Sequence, residues 1–191
     1  MRAVVLHYLS RQGKIYRLAT ERDLEVFKEK ERYLEEKRAR LFKEWDIDPV
    51  SNEPTPKGEG RSAERAFSVR NYGLNTYGNL FNSRQKLALI TFTEKVRLAY
   101  RKMIEESYEG EYAKAVVSYL GLGMDRLATY LSVLTRWRPD VLSFERAFDR
   151  QAMPMVGGVS PFNEIRGCWD LEAIWRVLSY LTQIPPAEAQ E

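Results

Sequence analysis

Two short stretches of the chain combine arginine and glutamine with aromatic residues. They run from Leu80 to Gln85 (LFNSRQ) and from Phe148 to Met155 (FDRQAMPM). Arginine and glutamine read guanine and adenine edges through paired hydrogen bonds, and helix N-termini favour phosphate. The candidate nucleic-acid contacts are Arg84, Gln85, Lys86, Arg150 and Gln151. The same side chains could equally tie loops to helices through backbone carbonyls.

A second set of candidates lies on one face of a helix predicted from about residue 111 to residue 137. At 100° per residue this face is separate from the leucine stripe of the same helix. Its members are Tyr119, Arg126, Tyr130, Val133 and Trp137. Aromatic residues interleaved with arginine stack bases and hold phosphate, so Arg126, Tyr130 and Trp137 are further candidates. The pattern favours a plainer interpretation, a helix packed between two neighbours.

Motifs for catalysis or metal binding are missing from the sequence. It contains no G-x-S-x-G, no H-E-x-x-H and no C-x-x-C, and it has a single His7 and a single Cys168. The glycine pairs at residues 58–60 and 121–123 lack the continuation that a phosphate-binding loop needs. We expect no catalytic residue, no metal and no cofactor on this chain alone.

The first 45 residues predict a β-hairpin followed by a charged helix. β-prone runs at residues 3–9 and 14–19 flank a turn at Ser10 to Gly13. Thr20 to Asp23 has the form of a capping box and starts a helix that ends near Trp45. This helix could lie along phosphates through Lys28, Lys30, Arg32, Lys37, Arg38 and Arg40. Solvated charge with partners four residues apart, such as Glu36 and Arg40, is the commoner explanation.

The rest of the chain predicts a loop and then a helical core. Residues 46–82 are rich in Pro, Gly and Asn, which indicates a linker or an ordered loop. Residues 83–183 predict the core domain and residues 184–191 a frayed tail. The helices of the core domain are expected from Ser83 to about Gly110, over 111–137, from Ser143 to Met153, and after a cap at Asp170. The predicted fold class is mainly α, a bundle of about four to five helices with a small N-terminal β-hairpin and a long Pro/Gly-rich connecting loop.

Composition and charge are compatible with a globular protein that contacts a polyanion. The chain has 191 residues, 44% hydrophobic, with 30 Lys and Arg against 27 Asp and Glu. Residues 1–45 carry 12 basic and 8 acidic side chains, and residues 83–191 carry 14 of each. The excess of basic residues in residues 1–45 is smaller than that of typical nucleic-acid-binding surfaces. The lone cysteine and the lack of an apolar run or signal segment predict a cytoplasmic protein without a membrane span.

Several stretches together resemble a family of large adenine-specific DNA methyltransferases that carry a zinc-ribbon insertion and an N-terminal domain of unknown function. The matching stretches are KIYRLATERD, Glu53-Pro54, YGLNTYGNLFNSRQKLALITF, AVVSYLGLGMDRLATYLSVLTRW, FDRQAMPMV, Ser160-Pro161-Phe162 and Trp169. They cover most of residues 14–178. In that family the segment lies after the Gly-rich S-adenosylmethionine motif and the zinc ribbon, and before the D-P-P-Y motif. None of these three motifs occurs in this chain.

The resemblance implies a non-catalytic helical module of a DNA adenine (N6) methyltransferase system that recognises or positions DNA. S-adenosylmethionine would then be bound only by the complete enzyme, and a partner polypeptide would carry the cofactor and catalytic motifs. An alternative is a structural or interaction module that completes a split methyltransferase or docks a partner subunit without contacting DNA. The balanced charge of residues 83–191 favours this alternative. A remnant without independent function is a third interpretation.

Overall fold

The computed structural model describes residues 3–7, 14–138, 140, 143–149, 151–153 and 172–183. Within these ranges the protein is mainly helical, which confirms the predicted fold class. The helices are α1 (Glu21–Trp45), α2 (Arg61–Ala66), α3 (Ser83–Glu105), α4 (Gly110–Tyr130) and α5 (Glu172–Leu181). The strands are β1 (Ala3–His7), β2 (Lys14–Leu18), β3 (Trp137–Arg138) and β4 (Ser143–Phe144).

The N-terminal hairpin is joined to α1 by an ion pair. β1 and β2 pair antiparallel, as the sequence predicts, and the predicted turn at Ser10 to Gly13 lies outside the described residues. Arg17 of β2 donates two hydrogen bonds of 2.5 and 2.8 Å to the Asp23 carboxylate. Asp23 also accepts the backbone N–H of Thr20 at 2.7 Å, which is the predicted start of α1. These hydrogen bonds, led by those from Arg17, hold the pKa of Asp23 well below its usual range.

Helix α3 lies between α1 and α4. It runs parallel to α1, because Ser83 hydrogen-bonds Glu31 at 3.4 Å while Arg101 pairs with Glu44 at 3.1 Å. It runs antiparallel to α4, since Ala88 near its start packs on Leu127 near the end of α4. Buried residues seal both contacts. They are Leu34, Leu41 and Ile90 between α1 and α3, and Ala88, Leu127 and Leu131 between α3 and α4.

The predicted loop from residue 46 to residue 82 is an ordered crossover, which returns the chain to the start of the bundle. It contains α2, which the sequence did not predict, and two 3-10 turns at Ser68–Tyr72 and Tyr77–Leu80. Thr55 is buried and donates its hydroxyl to Leu74 O at 2.9 Å. A third cluster of Val69, Leu80, Leu134 and Met153 joins this crossover to the segment after α4.

The segment after α4 departs from the prediction. The helix ends at Tyr130 rather than at residue 137, because Ser132 Oγ and the Val133 N–H both donate to Leu80 O, at 2.8 and 2.9 Å. Trp137 consequently lies in strand β3, paired with Phe144 of β4.

The helix predicted from Ser143 to Met153 is wrong. Residues 143–144 form β4, and the backbone after it bonds to distant carbonyls instead of to its own turns. Ala147 N–H donates to Thr129 O, and Met153 N–H donates to Ala66 O, each at 2.7 Å. These tertiary hydrogen bonds use donors that a helix would have satisfied locally.

One helix start differs from the prediction, and the predicted cap of another is not tested. α3 is capped by Asn82 rather than by Ser83. α5 is present where the last helix was predicted, and its proposed cap Asp170 lies outside the described residues. None of the helices in the described ranges combines the length and the apolar character needed to cross a bilayer.

Candidate nucleic-acid interface

The start of α3 is built by a reciprocal capping box. Asn82 Oδ1 accepts the Gln85 backbone N–H at 3.0 Å, and Gln85 Oε1 accepts the Asn82 backbone N–H at 2.8 Å. Gln85 is only 2% exposed as a result. Its side chain therefore orders the helix start, and a direct contact of Gln85 with a base edge would require this cap to open.

The two cations beside Gln85 differ in their surroundings. Arg84 is exposed, whereas Lys86 is half-buried in a small cleft with Val50, Tyr77 and Phe81. Burial lowers the pKa of Lys86, the nearby charge of Arg38 adds to this effect, and only Glu35 opposes it. None of the described carboxylates forms an ion pair with Lys86.

The charge order of this helix start is opposite to the usual preference. The first turn of α3 contains no acidic residue, and Arg84 lies in it, immediately followed in the sequence by Gln85 and Lys86. The N-terminus of a helix carries a partial positive charge, so cations there are destabilising and anions are stabilising. An anion at this position would interact favourably with the positive end of the helix dipole and with the charged form of the partly desolvated Lys86.

The second predicted stretch packs at the same end of the bundle. The Phe148 ring lies 6.3 Å from the Phe81 ring, and Met153 belongs to the cluster that holds Leu80. Gln151 is exposed, and Arg150 lies outside the described residues. The structure thus brings together two stretches that are distant in sequence, with Arg84, Lys86 and Gln151 among their polar residues.

The aromatic face predicted on residues 119–137 is interrupted by the end of α4. Arg126 and Tyr130 are half-buried on the last turns of the helix, and the Tyr130 hydroxyl accepts a hydrogen bond from Arg146 Nε at 3.2 Å. Trp137 belongs to β3, and its side chain is outside the described part of the structure. In the described ranges α3 is the main helical neighbour of α4, the segment that holds Arg146 contacts the last turn of α4, and Leu122 on the outer face is 57% exposed.

Half of the α1 cations that could have followed a phosphate backbone are occupied by tertiary ion pairs. Lys37 and Arg40 both bind Glu94 of α3, at 2.7 and 2.6 Å. Arg38 binds Asp48 of the crossover at 2.6 Å. The predicted pair of Glu36 with Arg40 does not form, because Arg40 pairs with Glu44 at 3.5 Å and with Glu94. Partners four residues apart do occur, but the short contacts are to other elements. These three side chains hold α1 in place.

One feature was missed by the sequence reasoning, an apolar groove at the opposite end of α3. Arg97 lies over the Trp45 ring, with the guanidinium carbon 4.4 Å from the ring centroid. The two residues are far apart in the chain, and no local pattern pairs them. Only the parallel packing of α1 and α3 brings them together.

Neither the comparisons with known proteins nor a search for metal ligands among the described residues assigns a function to the chain. Comparison with protein-family models, curated proteins and solved structures finds no significant match to the chain. The resemblance to the methyltransferase family therefore stays a prediction. Across the described residues, no three His, Cys, Asp or Glu side chains group as metal ligands would.

Proposed function

We propose that the chain is a non-catalytic helical module of a DNA adenine (N6) methyltransferase system, and that it positions DNA by binding phosphate at the start of α3. The observation that carries this proposal is Lys86. It is a half-buried cation beside Arg84 at the positive end of a helix, it forms no ion pair with a described carboxylate, and only the charge of Glu35 opposes its desolvation.

Phosphate is the ligand that best fits these charges. A phosphate near Lys86 would stabilise the charged form that burial disfavours, and it would interact favourably with the helix dipole. Arg84 is exposed and offers a planar fork of donors for a second phosphate oxygen. Exposed Gln151 lies on the neighbouring segment as a further polar contact.

The same geometry predicts positioning rather than base reading at this end. Gln85 would be the adenine reader in the sequence-based hypothesis, but its oxygen is used by the helix cap. The cations that remain contact phosphates, which carry no sequence information directly. Sequence discrimination in such a system would come from another part of the assembly.

Methyl transfer itself is assigned to another polypeptide. In support of this, the described connection from β2 to α1, Ala19-Thr20, has no glycine-rich turn of the kind that binds a nucleotide cofactor. The sequence also contains no D-P-P-Y or N-P-P-Y motif. The proposal rests here on the resemblance, which places those motifs before and after this segment.

The test is fluorescence anisotropy of labelled single- and double-stranded DNA titrated with the purified chain across a salt series. Lys86→Met keeps an apolar stem and removes the charge, and it is combined with Arg84→Ala. Lys95→Ala removes an exposed cation in the middle of the same helix and is the matched control. Circular dichroism checks that every variant is folded.

The expected result is salt-dependent binding that the double variant weakens, with a log–log salt slope shallower by about 1 for each lost phosphate contact. Lys95→Ala should leave both affinity and slope close to those of the parent. Absence of binding at low salt, or equal behaviour of the double variant and the control, would overturn the proposal.

The alternative function is docking of a partner subunit without DNA contact, and one observation favours it. The outer face of α4 exposes large apolar side chains, with Leu122 57% and Tyr112 55% exposed. Under this function, co-expression with a methyltransferase polypeptide that carries both missing motifs yields a salt-insensitive complex. Leu122→Lys would then disrupt the complex, and Arg84→Ala with Lys86→Met would not.

A further inference from the structure

A groove of about 660 Å³ opens where the end of α1 meets α3 and the first half of α4. Its lining combines the apolar side chains of Trp45, Tyr100 and Val117 with the three cations Arg97, Arg101 and Lys114 and the carboxylate of Glu44. A groove of this size accommodates a ligand of small-molecule dimensions. It is separate from the proposed DNA contact, since Lys86 and Arg97 are 11 residues apart on α3, roughly 16 Å along the axis.

The three cations of the lining are unequally compensated. Arg101 pairs with Glu44 at 3.1 Å, and Lys114 pairs with Glu111 at 2.6 Å. Arg97 has no carboxylate partner among the described residues, and its guanidinium carbon lies 4.4 Å from the centroid of the Trp45 ring. A contact with an aromatic ring does not use up the N–H donors of a guanidinium, so those of Arg97 can still bind an anion.

We propose that this groove binds a nucleotide, with the planar base against Tyr100 and Val117 and the phosphate held by Arg97 and Arg101. The combination of apolar and aromatic side chains with cations in the lining matches a ligand that is flat and apolar at one end and anionic at the other. The nucleotide is either free or part of a single strand, because both present the same chemistry. The inference does not depend on the proposed contact at the start of α3.

The shape of the groove favours a nucleotide over an acidic helical peptide. On α3 the lining runs from Val96 to Arg101, roughly 8 Å of helix. A docked amphipathic helix needs anchors over at least two turns, about 11 Å of its own length. The groove accepts one flat group and its phosphate within its length.

The test is isothermal titration calorimetry of the full chain with adenosine monophosphate, inorganic phosphate and an eight-nucleotide single strand of deoxyadenosine. Arg97→Ala removes the stacked cation, and Val117→Trp fills the groove from α4. Lys95→Ala, two residues from Arg97 on the same helix, is the matched control. Urea unfolding confirms that each variant keeps its fold.

We expect binding of the monophosphate or the oligonucleotide that Arg97→Ala weakens at least tenfold, that Val117→Trp abolishes, and that Lys95→Ala changes less than twofold. The titrations are repeated in the background of Arg84→Ala with Lys86→Met, which lacks the phosphate contacts proposed at the start of α3, and the monophosphate binding that remains should still be weakened at least tenfold by Arg97→Ala. The inference is overturned if neither ligand binds at millimolar concentration, if inorganic phosphate binds as tightly as the nucleotide, or if Arg97→Ala matches the control. Binding of an acidic helical peptide in the groove, without binding of either nucleotide ligand, would also overturn it.

Discussion

Arg38 of α1 binds the carboxylate of Asp48, just beyond the end of that helix, through two parallel hydrogen bonds. Arg38 Nε donates to Asp48 Oδ1 at 2.8 Å, and Nη2 donates to Oδ2 at 2.6 Å. Asp48 Oδ1 also accepts the Val50 backbone N–H at 3.0 Å. The pair therefore sets the direction in which the crossover leaves α1, and Val50 packs on the buried contact between α1 and α3 as a consequence.

Asp48→Asn should destabilise the protein by about 1–2 kcal/mol, because one charge-assisted bond of the fork is lost from a partly exposed pair. The measurement is the free energy of unfolding in urea. Glu36→Gln is the control, since Glu36 pairs with Arg32 on the exposed face of the same helix at 3.6 Å. A control effect as large as that of Asp48→Asn would contradict the role assigned to the pair.

Stability should fall as the solution is acidified, and Asp48 should contribute to this loss. The hydrogen bonds from Arg38 hold the pKa of Asp48 below its ordinary value of 3.8. A carboxylate whose pKa is lower in the folded than in the unfolded protein stabilises the folded state. This contribution is fully present above the pKa of the unfolded state and is lost as the pH falls through the pKa of the folded state. Urea unfolding between pH 6 and pH 2 should show a shallower decline for Asp48→Asn than for the parent. Parallel curves would exclude Asp48 as a source of the pH dependence.

Gly78→Ala should be strongly destabilising. A Cβ at Gly78 would lie 2.5 Å from Ser51 O and 2.9 Å from Val50 Cγ1, so the two segments of the crossover would have to separate. We expect a loss of about 1–3 kcal/mol, typical of overpacking. Gly121→Ala is the matched control, because nothing lies within 4 Å of its added Cβ in the middle of α4.

Gly121→Ala should in contrast raise stability by about 0.5–1 kcal/mol, since alanine restricts the unfolded chain and favours a helix. Thermal unfolding of both variants measures the opposite signs directly. The packing described at Gly78 is incorrect if both substitutions stabilise the protein.

Asn82→Ala should lower stability by about 1 kcal/mol, because it removes the acceptor for the Gln85 N–H at the start of α3. Asn82→Ser keeps an acceptor of similar reach and should restore most of the loss. Chemical unfolding compares the two variants. Equal losses would mean that the side chain at this position acts through something other than the cap.

The sequence by itself determined four of the described helices, α1, α3, α4 and α5, and the capping residues at the start of α1. The information for these is local, because a helix shows its buried face every third or fourth residue and its start in a few capping residues. Thr20 with Asp23 marks α1. Apolar residues spaced alternately three and four apart identify α3, at Leu89, Phe92, Val96, Ala99 and Met103. The β-hairpin is equally local, since β1 and β2 are adjacent in the chain.

The tertiary structure decided where helices stop and which side chains meet. α4 ends at Tyr130 because Ser132 and Val133 donate to Leu80 O, an acceptor from a distant segment. Gln85 is buried in its cap, and Arg97 meets Trp45 only because α1 and α3 run parallel. Such contacts depend on how elements pack across the molecule, and the periodicity of a single segment does not show which other segment packs against it.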